Sequence, residues 1–285
     1  VRYNAVMSKT GKGAEEPYPP MVWYGSRGIW GGGSLPSITD VIQYKDLSTT
    51  SNTTDFGDLT SARGGVCATS GGVPGGVRGV FFGGDQPSAS NVIDYITVAS
   101  TGNATDFGDL PGSYGYSGAC SNGIRGIVAG DGSTPTYQNK IRYITIATTS
   151  NTTSFGNLTY NATSGVAGAA NSTRGTIAAG VTINNIDYFT IMSAGNASDF
   201  GDLTYTTYGQ GGCSSSEGRG VYGGGSSPSS PYRSNIINYI TIDTAGNATD
   251  FGDLTTARYY VAACSSGTRG SFGGGQWHSS QGSPT

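Results

Sequence analysis

Asn247-Ala248-Thr249-Asp250-Phe251-Gly252-Asp253-Leu254 decides the fold, because the chain repeats it. It returns intact as Asn103–Leu110 and with small changes as Asn52–Leu59, Asn151–Leu158 and Asn196–Leu203. The Phe-Gly pairs begin at Phe56, Phe107, Phe155, Phe200 and Phe251, a spacing of 45 to 51 residues. Twelve residues before each stands a tyrosine: Tyr44, Tyr95, Tyr143, Tyr188 and Tyr239. After each comes an Arg-Gly pair, at Arg78, Arg125, Arg174, Arg219 and Arg269, opening a small apolar run that usually ends in glycines. Fixed content at a fixed period marks one supersecondary unit copied along the chain.

Within one copy, Asn235–Ile242 is a strand-length run rich in β-branched residues, and Thr244–Asn247 has the Gly and Asn of a turn. A second short strand is expected over Asp250–Thr255, a third over Tyr259–Cys264 and a fourth over Arg269–Phe272, running out into Gly273–Gly275. Four short antiparallel strands in about 48 residues is the size of a propeller blade. No window carries apolar residues at helical spacing.

The Arg-Gly strand occurs six times, from Arg27 to Arg269, and the last copy stops after its glycines. The missing half stands at the other end. Val1-Arg2-Tyr3-Asn4-Ala5-Val6 reads like Ile141-Arg142-Tyr143-Ile144-Thr145-Ile146, and Glu15–Tyr18 falls where an outer strand belongs. The expectation is an all-β, six-bladed β-propeller with four antiparallel strands per blade. It is a single domain over residues 1–285, its sixth blade shared between 1–20 and 257–285 so that N- and C-terminal strands close it. Such closure removes exposed sheet edges.

The order of elements resembles kelch repeats: a strand ending in a glycine doublet, a tyrosine strand, then an aromatic strand. Gly83-Gly84 followed by Tyr95 and Phe107 carries that order, as does Gly223-Gly224-Gly225 followed by Tyr239, Phe251 and Arg258. Phe stands where kelch repeats usually have Trp, the interval from tyrosine to aromatic is longer, and the doublet decays to Ala129-Gly130 and Ala179-Gly180. The resemblance implies a fold rather than an activity.

Composition narrows the function. The formal charge is −3, with four lysines, and six of eleven arginines sit in the Arg-Gly repeat, so phosphate-driven nucleic-acid binding is not expected. No apolar run approaches the ~20 residues of a membrane span, and no signal peptide is visible. Cys67, Cys120, Cys213 and Cys264 precede Arg-Gly pairs, and Ala169 takes the corresponding place in the fourth repeat. A site that accepts Cys or Ala favours burial over disulfide or metal. One histidine, His278, leaves a triad or multi-histidine metal centre without its parts, so no catalytic residue, metal or cofactor is expected.

Asp-Phe-Gly lacks the glycine-rich loop, paired lysine and His-Arg-Asp loop of a kinase. Its repeated aspartates are expected to form local pairs with the Arg-Gly arginines rather than calcium sites. Five of the Asn-X-Ser/Thr sequons recur in one turn, which favours turn chemistry over glycan acceptors.

Subtracting the framework leaves tyrosines in the connections. Tyr114, Tyr116, Tyr160, Tyr205, Tyr208, Tyr259 and Tyr260 lie near the blade joins, and Tyr137 and Tyr232 follow the glycines. In a four-stranded blade both connections open on the same face, and Tyr mixed with Ser, Gly and Asn suits an adaptable recognition surface. The alternative is that these tyrosines fill gaps between blades. The stretches Tyr-Ile-Thr-Ile with Gly-Asn-Ala-Thr-Asp-Phe-Gly-Asp-Leu-Thr, and Thr-Arg-Gly-Ser-Phe-Gly-Gly-Gly, also resemble repeats in virion proteins of tailed bacteriophages. That resemblance implies a non-enzymatic module on a virion, in tail fibre, baseplate or capsid decoration. Its partner would be a host-surface glycan or protein, or another virion protein. A cellular extracellular or scaffold propeller that binds protein partners is the second reading and a glycan-cleaving enzyme the third.

Overall fold

A computed structural model describes residues 25–276, apart from 35, 74–75, 86, 132–137, 163–164, 181–182 and 228–232. The described residues are all-β and form small antiparallel sheets in propeller arrangement, each built in chain order. The first blade is β1 (Arg27–Gly33), β2 (Thr39–Asp46) and β3 (Thr54–Asp58). The second is β4 (Cys67–Val73), β5 (Gly76–Phe82), β6 (Val92–Thr97) and β7 (Thr105–Asp109). The third is β8 (Gly118–Ser121), β9 (Arg125–Asp131), β10 (Gln138–Thr145) and β11 (Thr153–Ala162). The fourth is β12 (Ala167–Ala170), β13 (Arg174–Gly180), β14 (Ile183–Thr190) and β15 (Ser198–Asp202). The fifth is β16 (Gly211–Ser214), β17 (Arg219–Gly223), β18 (Ile236–Thr241) and β19 (Thr249–Asp253). A two-stranded hairpin follows, β20 (Ala262–Ser265) and β21 (Gly270–Gly273).

This corrects the blade count. The described residues make five blades, not six, because the last repeat supplies only its first two strands. The strand expected over Val1–Val6, with Glu15–Tyr18, lies outside the described residues. Strands β4, β8, β12, β16 and β20 pack side by side in that order around a central channel, and β20 also meets β1.

The core lies between blades rather than within one. Ile42 and Phe56 of the first blade pack with Phe81 and Ile96 of the second, and Ile127 and Phe155 of the third with Ile177 and Phe189 of the fourth. A thin sheet buries both faces this way, which accounts for the apolar residues on either side of each tyrosine strand. Opposite that strand, the Phe-Gly strand carries a β-bulge. Gln43 pairs with Asp55 and Ile42 with Gly57, leaving Phe56 as the extra residue, and the register slips alike at the other four phenylalanines. Each phenylalanine then meets its tyrosine edge-to-face, with centroids 5.8 to 6.2 Å apart.

The motif arginines do not pair with the motif aspartates, which corrects the expectation of local ion pairs. Arg27, Arg78, Arg125 and Arg174 each lie over their own blade's strand tyrosine, 4.1 to 4.5 Å from its centroid. Each also donates from Nη1 to a backbone carbonyl of the next blade: Val98, Ile146, Ile191 and Ile242, at 2.7 to 3.1 Å. A backbone carbonyl is a weaker acceptor for a guanidinium than a carboxylate, but it is the acceptor these arginines reach across the seam. The ion pair found among the described residues, Arg63–Asp94 at 2.5 Å, is buried and belongs to neither motif.

The glycine after five of the six arginines, all but Arg78, is there for its neighbour. A Cβ at Gly175 would lie 3.1 Å from Cys120 Sγ, one at Gly270 3.1 Å from Cys213 Sγ, and one at Gly28 2.7 Å from Cys264 Sγ. Ala169 meets Gly220 in the same way at 3.0 Å and Thr69 Cγ2 meets Gly126 at 3.0 Å, so this slot between blades takes Cys, Ala or Thr. The four thiols are free; Cys120 and Cys213 are buried, Cys67 and Cys264 half-buried. Desolvation pushes them up to about 12.

Candidate functional site

The residue that opens each innermost strand decides what stands at one mouth of the channel. These are Gly65, Tyr116, Gly165, Gly209 and Tyr260, and all five are left-handed, with φ of 70°, 56°, 76°, 68° and 53°. They form a collar through the backbone. Tyr116 N–H donates to Gly65 O at 2.9 Å, Gly165 N–H to Tyr116 O at 2.9 Å, Gly209 N–H to Gly165 O at 2.7 Å, and Val261 N–H to Gly209 O at 3.2 Å. Glycine accepts this conformation without a Cβ clash, and at two of the five places the chain has tyrosine instead.

Tyr116 belongs to the third blade and Tyr260 to the hairpin, with two blades between them along the ring. Their rings nevertheless stack, 4.8 Å apart and 27° from parallel, so they reach across the mouth of the collar. Two glycines leave room for this: the Tyr116 ring lies over Gly65, and a Cβ at Gly209 would be 2.9 Å from the Tyr260 ring. Tyr208 stands edge-on to Tyr260 and Tyr259, at 6.3 and 6.4 Å, and the Tyr259 ring tilts against Tyr260 at 4.6 Å. The Arg233 guanidinium lies 3.8 Å over Tyr259, and its Nη1 donates to Ser226 Oγ at 2.8 Å. The Tyr259 hydroxyl bonds Gln276 Oε1, and Tyr208 exchanges two backbone hydrogen bonds with Ser226.

The expected tyrosines therefore divide. Tyr116, Tyr208, Tyr259 and Tyr260 come together in one half-buried cluster. Tyr114, Tyr160 and Tyr205 do not join it; they fill the seams. Tyr114 is buried and its hydroxyl accepts from Arg142 Nη2 at 2.9 Å. Tyr160 donates to Ala179 O at 3.2 Å, and Tyr205 to Gly224 O at 2.7 Å. Burial raises the phenols of Tyr160 and Tyr205, the first well above its ordinary value. Tyr137 and Tyr232 lie outside the described residues.

Sequence reasoning missed Arg233, Gln276 and the collar itself. A signal existed. Gly65, Gly165 and Tyr260 each precede a valine (Val66, Val166, Val261) at the same place in their repeats, so a tyrosine there replaces a glycine.

Beneath the collar the channel holds a cavity of about 230 Å³, walled by small residues of the inner strands such as Ala119, Gly168 and Ala169. Its wall also carries Cys120 and Cys213, whose raised thiols are protonated and poor nucleophiles near neutrality. Among the described residues no group of three or more His, Cys, Asp or Glu is placed to hold a metal ion. What the arrangement offers chemically is aromatic faces beside one guanidinium at a channel mouth.

No protein-family model matches this chain, and no curated protein matches it.

Proposed function

We propose that the protein is a non-enzymatic recognition module whose contact surface is the tyrosine cluster at the collar mouth. One observation carries this reading: Tyr116 and Tyr260 occupy left-handed backbone positions where the neighbouring blades have glycine. Such a placement costs about 1–3 kcal/mol each, persists where the surrounding structure holds it, and clusters at ligand-contact sites. The favoured ligand is a glycan, because stacked and edge-on tyrosines present flat apolar faces with hydroxyls at their rims, and Arg233 adds a cation beside them. We further propose, from the resemblance of the repeats to tailed-phage virion proteins and to kelch units, that the module works on a virion. There it would bind a host-surface glycan, or another virion protein through the same face.

The test is a glycan array probed with the wild type and with Tyr260→Gly and Tyr208→Ala. Tyr260→Gly installs the residue that Gly165 and Gly209 already provide, so the fold is expected to hold while binding falls at least tenfold. Unchanged binding by both variants would move the site off this face. Cleavage of a labelled polysaccharide would replace the non-enzymatic reading with the hydrolase one.

A further inference from the structure

Charge is unevenly placed along the chain. Residues 110–186 hold four cations, Arg125, Lys140, Arg142 and Arg174, against one acid, Asp131, a balance of +3 in a chain of −3. They cover the third blade and the inner part of the fourth, on the far side of the ring from the hairpin. Arg142 is buried, and Asp131 and Lys140 flank the connection from β9 to β10 at the collar end. Arg125 and Arg174 stand at the opposite end, where Arg78 of the second blade joins them. The turns on that face of these blades, 98–104, 121–124, 146–152, 171–173 and 191–197, contain no acid. Asp106 and Asp199, exposed on the outer strands of the second and fourth blades, pair with none of these arginines, and Ser154 takes their place in the third.

The three guanidiniums are half-buried and fixed. Each lies over its own strand tyrosine at 4.1 to 4.4 Å and donates from Nη1 to the carbonyl of Ile146, Ile191 or Ile242 at 2.9 to 3.1 Å. Nη1 is the nitrogen on the Cδ side, so this bond leaves intact the edge where Nε–H and Nη2–H run parallel, the edge that grips a carboxylate with two bonds. Those nitrogens bond nothing among the described residues, and unlike Arg63 Nε they are not closed off from solvent. Ile124, 38 % exposed, stands beside Arg125 and adds an apolar step.

We propose that this arc is a docking surface for an acidic polysaccharide, one sugar carboxylate on each Nε–Nη2 edge and a ring face on Ile124. The edges are set one blade apart and already immobilised, so a charged chain laid across the seams meets them without ordering them. A nucleic acid fits less well, since its affinity comes from neutralising closely spaced phosphates with many cations. The surface is separate from the tyrosine cluster, at the other end of the blades.

Binding of the full chain to immobilised polygalacturonate tests this, with the methyl-esterified polymer and poly(dT) as alternatives. The acid polymer is expected to bind, the ester not, and the affinity to fall at least tenfold from about 50 to about 500 mM salt. Arg78→Gln, Arg125→Gln and Arg174→Gln should each weaken binding about tenfold, the loss of a charged pair of bonds. Lys140→Gln, an exposed cation at the collar end, and Tyr208→Ala should leave it unchanged. Thermal melts establish that the variants fold; should an arginine variant not fold, acid against ester on the wild type decides. No binding of the acid polymer at low salt, equal binding of its ester, or tighter binding of poly(dT) overturns the proposal. So does an equal loss from Lys140→Gln, which would mean diffuse charge, or a loss from Tyr208→Ala alone, which would place the polymer at the collar.

Discussion

Arg269 donates from Nη1 to the carbonyl oxygen of Leu47 at 2.9 Å, joining two residues 222 apart in sequence. The bond repeats between the hairpin and the first blade what Arg27, Arg78, Arg125 and Arg174 do between successive blades. With Cys264 Sγ set against Gly28, it ties the end of the described chain to its start.

Arg269→Ala is therefore expected to lower stability by about 1–2 kcal/mol, the worth of a charged donor on a carbonyl. Arg219→Ala, which loses only the stack on Tyr239, should cost less than about 1 kcal/mol. Urea midpoints at unchanged m compare the two. Equal losses would mean that the Leu47 contact adds nothing to the ring.

The asparagine turns supply a second internal control. Asn103→Ala removes the acceptor of the Asp58 N–H and should cost about 0.5–1.5 kcal/mol. Asn52→Ala, with no such donor among the described residues, should leave the unfolding midpoint unchanged. An equal loss from both would show that Asn52 is engaged within the monomer.

Much of this was legible in the sequence because a repeat states its own boundaries. The strand expected over Asn235–Ile242 is Ile236–Thr241, and that expected from Arg269 is Gly270–Gly273. What the sequence hid depends on the neighbouring blade. The arginines were matched to aspartates because carboxylates are visible in a sequence and backbone carbonyls such as Val98 O are not. The bulge at each phenylalanine and the turn pressed on each following glycine are likewise contacts of main chain, invisible to residue type. Of the tyrosines, Tyr114 and Tyr205 could not be told from Tyr116 and Tyr260 by spacing. The difference is which turn of backbone each stands on.

Thiol reactivity follows from the packed slots. With Cys120 and Cys213 pushed up to about 12, the thiolate fraction at pH 8 is on the order of 10⁻⁴. Iodoacetamide at that pH should leave both unmodified in the folded protein and label them once urea unfolds it, as peptide mass spectrometry would read. Fast native labelling of either would mean that the seam between blades opens.

Asp187 sets a pH dependence. It is fully buried on the tyrosine strand of the fourth blade and accepts from Thr159 N–H and Oγ–H at 2.6 and 2.7 Å. Burial raises its carboxyl above the ordinary 3.8, outweighing those two bonds, which act the other way. The folded protein thus holds this proton more tightly than the unfolded chain. The stability it contributes is present in full below about 3.8 and is lost as pH rises through the higher folded value. One blade on, the same place holds Asn238, whose Oδ1 accepts both the N–H and the hydroxyl of Thr204, at 3.2 and 2.6 Å. Asp187→Asn keeps the two acceptor contacts and removes the charge. The variant should match or trail the wild type at acid pH and exceed it near neutrality, the gap opening as pH climbs from about 3.8. Urea midpoints of both proteins across that range decide it, since a gap that stays constant with pH would mean the carboxyl does not titrate differently in the fold.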